Sequence, residues 1–263
     1  VFWKSLCKFF KFVAIKNVIM GRAFEYRRAA KEKRWAKMSR IFPKLAKAIT
    51  VAAKEGGADP EMNAALRVAI QNAKAQNLPK ANIEAAIDRA TGKDAVDYEE
   101  ITYEGKGPHS SLIIVECATD NNTRTVGNVR SYFRKYGGNL GKDGCLEFVF
   151  DRKGIFSLDQ GELDEDDFTM EMIDGGAEDV EFDDGLITVT TAMEDFGNLQ
   201  KKLGELAIEP KEAGLQRIPT TMKEIDSGTW ETFSKLIDAL EDDDDVQKVY
   251  HNVEFNEEIM GAE

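Results

Sequence analysis

The chain has 263 residues, 42% of them hydrophobic and 32% charged, with a formal net charge of −13. That length fits one large domain or two or three small ones, with enough apolar residues for a real core. Cys7, Cys117 and Cys145 are odd in number, far apart and without a CxxC pair, and His109 and His251 are the only histidines. This argues against a disulfide framework, a zinc site or a histidine metal centre, and for a reducing, cytoplasmic setting.

Residues 1–19 are apolar but interrupted by Lys4, Lys8, Lys11 and Lys16, so they hold no run of about 20 apolar residues that could span a bilayer. No small-residue cleavage site follows. The segment reads either as an amphipathic surface or targeting stretch, or as sequence upstream of a start at Met20. The second reading is the expectation.

From residue 21 to about 92 the chain reads as helical. In residues 22–38, Arg27, Arg28, Lys31, Arg34 and Lys37 cover most of a helix circumference, so this is an arm and not a core element. Ile41, Leu45, Ile49 and Ala52 then make a stripe at helical spacing, closed by Gly56 and Gly57. Asp59 and Pro60 read as the N-cap and first residue of a second helix, with Met62, Leu66, Ile70 and Ala73 on its apolar face. NLP at 77–79 breaks that helix, and Ile83, Ile87 and Ala90 line a third, ended by Gly92.

The period changes at Ile101. SLIIVECAT (111–119) is a buried-strand run, CLEFVF (145–150) alternates like a strand, and Val126, Val129 and Phe133 share one face of a helix between them. Beyond these come a helix and strand in DEDDFTMEMIDGGAEDVEF, a strand in LITVTTA and a helix in MEDFGNLQKKLGELAI. The final stretch reads as helix, acidic turn and strand. Two strand-rich units with helices on one face make an α+β architecture. The acidic run Asp242–Asp245 is most simply a solvated loop.

Charge is unevenly spread. Residues 1–93 hold 20 Lys+Arg against 7 Asp+Glu, whereas 94–263 hold 15 against 41. Such asymmetry suggests a polyanion-binding module joined to a body that does not bind polyanions broadly. No GxSxG, P-loop or helix-opening GxGxxG is present, so the usual nucleophile and nucleotide signatures are missing and no enzyme is expected. Two features remain. One is the basic arm, residues 22–47, whose cations neutralise phosphates and whose Tyr26 and Trp35 offer rings to exposed bases. The other is RSYFRKYGGNLGKDG (130–144). There Arg130 and Arg134 lie one turn apart, Lys142 follows the turn, and Gly137, Gly138 and Gly141 permit close backbone approach to an anion.

The stretches YEEITYEGKGP, VECATDNNTRTVGNVRSYFRKYGGNLGKDG, LIDALEDDDDVQKVYHNVEF, AKEGGADPEMNAALRVAIQNAKAQNLPKANIEAAI and GAEDVE resemble the YebC/PmpR family over nearly all of 20–263. The resemblance implies a multidomain α+β fold: an N-terminal helical bundle and two α+β, ferredoxin-like domains, one inserted in the other. The expected borders are 1–19 extraneous, 20–95 basic helical domain, 96–153 with 213–263 as the middle domain, and 154–212 as the acidic insert. It implies a nucleic-acid-binding regulator of gene expression, classed as a DNA-binding transcriptional regulator. Other relatives point to a ribosome-associated, RNA-binding translation factor easing passage through proline-rich stretches. A protein-binding adaptor is the third class. Many members open with GHSKW where this chain has GRAFEYRRAAKEKRW, so the positive charge is kept while the histidine is not.

The expected phosphate contacts are Arg27, Arg28, Lys31, Lys33, Arg34, Lys37 and Arg40 in the arm. Arg130, Arg134, Gly138, Asn139, Gly141 and Lys142 form a second patch. DNA or structured RNA, and through it the ribosome, is the expected partner. No metal, cofactor, membrane or small-molecule substrate is expected.

Overall fold

The computed structural model describes residues 39–92, 97–183 and 185–254. Helix α1 (39–56) ends where Gly57 takes a positive φ of 91°. Helices α2 (Ala64–Ala75) and α3 (Lys80–Thr91) follow, joined by a turn in which Asn77 is left-handed and Leu78 is buried. Ile49, Ala52, Leu66, Ala73, Ile83, Ala86 and Ala90 are buried, and Thr50 Oγ1 donates to the Ala86 carbonyl at 3.0 Å, joining α1 to α3.

The start of α2 differs from expectation. Residues 60–62 form a turn, and the N-cap is Asn63, whose Oδ1 accepts from the Leu66 amide at 3.0 Å. Asn63 Nδ2 also donates to the carbonyls of Ala52 at 2.7 Å and Gly57 at 2.8 Å, closing the end of α1 as it opens α2. One amide satisfies groups on two helices, which Asp59 cannot do. Met62 is accordingly outside the core, 83% exposed.

Strands β1 (Glu99–Lys106) and β2 (Leu112–Thr119) form an antiparallel hairpin. Helix α4 (Asn122–Lys135) leads to the short strand β3 (Asn139–Leu140), and after a long excursion α7 (Ser227–Glu241) leads to β8 (Val246–His251). The sheet order is β3-β1-β2-β8. Val129 and Phe133 of α4 and Phe233, Leu236 and Leu240 of α7 bury against Ile113, Val115 and Cys117 on one sheet face.

The excursion is a second unit. Strand β4 (Phe150–Asp159), α5 (Glu165–Asp174), β5 (Ala177–Asp183), β6 (Leu186–Ala192), α6 (Phe196–Glu205) and β7 (Glu212–Pro219) give sheet order β5-β6-β4-β7. Phe168 and Met172 of α5 and Leu199 and Leu203 of α6 pack on Phe156, Leu158, Ile187 and Val189. All adjacent strands are antiparallel, with a split β-α-β on each side, which is the ferredoxin-like arrangement. Phe150 pairs with Pro219, so the expected borders at 153/154 and 212/213 both fall inside strands of this sheet.

CLEFVF is also not a continuous strand. Glu147–Val149 is a 3-10 turn, and only Phe150 enters β4. The alternation there arises because Leu146 and Phe150 both bury beside Ile114 while the backbone turns between them. No helix among the described residues is long and apolar enough to cross a membrane.

Candidate nucleic-acid interface

Helix α4 begins at Asn121, whose side chain accepts from the Arg124 amide. Thr125, Val129 and Phe133 face the sheet, which turns Arg130 and Arg134 outward, one helical turn apart. Lys135 follows in the last turn, 5.2 Å from the Tyr136 ring centroid. Lys142 and Lys106 are both exposed, and Lys106 pairs with Asn139 across β1 and β3.

The loop after α4 is tightly built. Gly137 has φ +78°, and a Cβ on Gly138 would lie 2.4 Å from the Lys106 carbonyl oxygen. The Gly138 amide donates to the Phe133 carbonyl at 2.8 Å, and the Gly141 amide to the Glu104 carbonyl at 2.7 Å. The buried Glu104 carboxylate accepts from the amides of Gly144 at 3.1 Å and Leu146 at 2.5 Å. The expected anion nest is therefore already engaged: Glu104 is the anion these later amides cradle, and the amides of Gly138 and Gly141 turn inward. What the loop offers a ligand is the exposed side chains of Asn139 and Lys142.

In the basic arm, Arg27, Arg28, Lys31, Lys33, Arg34 and Lys37, together with Tyr26 and Trp35, lie outside the described residues. Arg40 is exposed on α1. Lys44 and Lys47 do not belong to an open phosphate-binding face. Lys44 Nζ donates to the Glu241 carbonyl at 2.6 Å. Lys47 Nζ donates to the carbonyls of Ala118 at 3.0 Å and Asp244 at 2.8 Å, and to Asp245 Oδ1 at 3.1 Å. Burial lowers the Lys44 pKa, against the opposing pull of Glu241 and Asp243.

The acidic run is correspondingly not a solvated loop. Asp245 is only 4% exposed, and its Oδ2 accepts from Arg124 Nη2 at 2.7 Å and Thr125 Oγ1 at 2.9 Å. Asp243 Oδ2 accepts from Asn128 Nδ2 and the Tyr132 hydroxyl, each at 3.1 Å. Donors from α1, β2 and α4 converge on the turn between α7 and β8, so this acidic run is matched internally by Lys47 and Arg124.

The cations thus sort into two groups. Lys44, Lys47, Arg124 and Arg217 are committed to internal partners, Arg217 to Glu116 at 2.8 Å. Among the described residues, Arg130, Arg134 and Lys142 form no ion pair. Composition alone cannot separate these groups; in the helix, Lys47 shares a face with the buried Thr50 and Val51, three and four residues on.

A helical N-terminal region, a hairpin-based sheet with two helices on one face, and a ferredoxin-like insert define a multidomain α+β protein with an outward basic helix face. Residues 22–93 match the TACO1/YebC protein N-terminal domain, and residues 98–253 match the TACO1/YebC second and third domain. The chain belongs to the TACO1/YebC family. It is 55% identical over 236 residues to a "Probable transcriptional regulatory protein" of Wolinella succinogenes, covering 89% of this chain and all of that one. A Campylobacter fetus protein of the same description is 53% identical over 235 residues, with the same coverage. The crystal structure of a conserved hypothetical protein from Aquifex aeolicus superposes with a TM-score of 0.74 at 37% identity, covering 83% of this chain and 91% of that one.

Proposed function

We propose that this chain is a cytoplasmic, non-enzymatic regulator of gene expression that acts by binding nucleic acid. Its relatives' shared description as transcriptional regulatory proteins supports the regulatory role. The observation that carries the binding reading is the outward pair Arg130 and Arg134 with Lys142 beyond the turn, exposed and without ion pairs among the described residues while neighbouring cations are internally matched. The arm residues Arg27, Arg28, Lys31, Lys33, Arg34, Lys37 and Arg40 extend the same phosphate-neutralising chemistry.

The test is fluorescence anisotropy of the full chain with duplex DNA and with structured RNA between 50 and 200 mM salt. A protein making about six phosphate contacts loses roughly a thousandfold in affinity over that range. The double variant R130E/R134E should weaken binding and make the log–log salt slope shallower by about two. Wild-type protein that binds neither nucleic acid at 50 mM salt refutes the proposal. Tighter binding to one form assigns the physiological target, with RNA pointing to translation and sequence-selective duplex binding to transcription.

A further inference from the structure

Phe148 is 80% exposed, and every other Phe, Tyr or Trp among the described residues is buried or half-buried. Its backbone is nevertheless firmly held. Leu146 donates its amide to Glu104, the Val149 amide donates to the Leu146 carbonyl at 2.9 Å, and Leu146 and Phe150 are buried on either side. Just past the returning strand, Thr220 donates both its amide, at 2.8 Å, and its hydroxyl, at 3.1 Å, to the Val149 carbonyl. A 3-10 turn pinned at both ends leaves the Phe148 ring no core to enter and little freedom to fold back.

We propose that Phe148 is a stacking platform for one unpaired nucleobase, placed a few residues beyond Lys142 in the turn that leads into β4. The assignment rests on the nucleic-acid reading above and narrows it to unpaired segments, whether RNA loops or single-stranded DNA. A base inside a duplex hides its faces in the stack, whereas a splayed base presents a π-face to any ring. The residues around Phe148 favour a base over an apolar protein partner. Lys142, Asp143, Gly144 and Glu147 are all exposed, and the exposed apolar side chains of the returning segment are Ile218, 38% exposed on β7, and Met222, 53% exposed just beyond it. One ring and two aliphatic side chains fall short of the contiguous patch that marks a protein-docking face. Asp143 and Glu147 also make the immediate surroundings of the ring poor in positive charge, so its contribution is stacking and not phosphate attraction.

Three variants of the full chain, F148A, F148L and F148Y, should be titrated against a short unstructured RNA, the same sequence as single-stranded DNA, and a duplex. A 2-aminopurine in the single strands reports stacking directly. F148A and F148L should lose about tenfold to a hundredfold in affinity for the unpaired strands. F148Y should keep it, duplex binding should be unchanged, and the salt slope should stay as in wild type. Greater loss with RNA than with DNA identifies RNA as the source of the base. The assignment is overturned if F148L binds like wild type, if the loss is equal on duplex, or if 2-aminopurine emission ignores the ring. In those cases wild-type binding itself survives, whereas wild-type failure on all three probes overturns the underlying nucleic-acid reading instead.

Discussion

Lys47 Nζ lies 3.1 Å from Asp245 Oδ1, with both side chains nearly buried at 12% and 6% exposure. The two residues are 198 positions apart, and their contact fastens α1 to the turn between α7 and β8. Arg124 reaches the other oxygen of the same carboxylate. One aspartate thus neutralises two cations from separate elements and also takes hydroxyl donors from Thr119 and Thr125.

Removing that carboxylate should be costly. Asp245→Ala leaves Lys47 with no counter-charge in a nearly closed site, and the expected loss of unfolding free energy is about 3 kcal/mol. Chemical denaturation with unchanged m-value would check it; a loss under about 0.5 kcal/mol would sink the account.

The same residue sets an acid limit. Burial raises the Asp245 pKa, but hydrogen bonds from Arg124, Lys47 and Thr125 outweigh it and hold the value below the ordinary carboxylate range. A depressed folded pKa contributes stability above the unfolded value of about 3.9 that is lost as pH falls through the lower folded value. Melting temperature followed from pH 6 down to pH 2 should therefore fall more steeply for wild type than for Asp245→Asn below about pH 4.

Asn72 couples α2 to β7. Its Nδ2 donates to the Ala213 carbonyl at 2.7 Å and its Oδ1 accepts from the Ala213 amide at 3.0 Å. Asn72→Ala leaves both main-chain groups of Ala213 unmatched, and about 1–3 kcal/mol should be lost. Hydrogen exchange at the Ala213 amide should accelerate more than at Val189 in the centre of the same sheet.

Two glycines in one region should respond oppositely to alanine. A Cβ at Gly127 meets nothing within 4 Å, so Gly127→Ala on α4 should stabilise by up to about 1 kcal/mol. A Cβ at Gly138 would strike the Lys106 carbonyl, so Gly138→Ala should destabilise and loosen the β1–β3 pairing. Differential scanning calorimetry of the two variants should move Tm in opposite directions.

Cys117 tests the core under α4 and α7. Burial pushes its thiol pKa up to about 12, so thiolate is scarce at pH 8. A thiol reagent at pH 8 should leave Cys117 unmodified in the native protein and label it once urea unfolds the chain.

Elements with a strong single periodicity were legible in the sequence. The spacing of Val126, Val129 and Phe133 marks the inner face of α4, and the apolar run in β2 marks a buried strand. Places where one residue serves two elements were not. Asn63 caps α2 while closing α1, and nothing near Asp59 reveals that competition. The Asp242–Asp245 run looks solvated because its partners Lys47, Arg124 and Thr125 are remote in sequence. Strand β7 was invisible because, as an edge strand of mostly half-buried residues, it has no clear alternation. In the candidate site the outward arginines were legible from helical phase, whereas the inward use of the loop amides required the position of Glu104.

The side-by-side placement of Phe150 and Pro219 has an evolutionary consequence. The ferredoxin-like unit leaves and rejoins its host at neighbouring points, and it carries its own apolar centre. A genetic insertion or deletion at that single junction changes the protein by one whole folded module while leaving the route of the host sheet intact. The unit can therefore diverge in surface chemistry, as its many carboxylates suggest, under selection separate from that acting on the basic helix face.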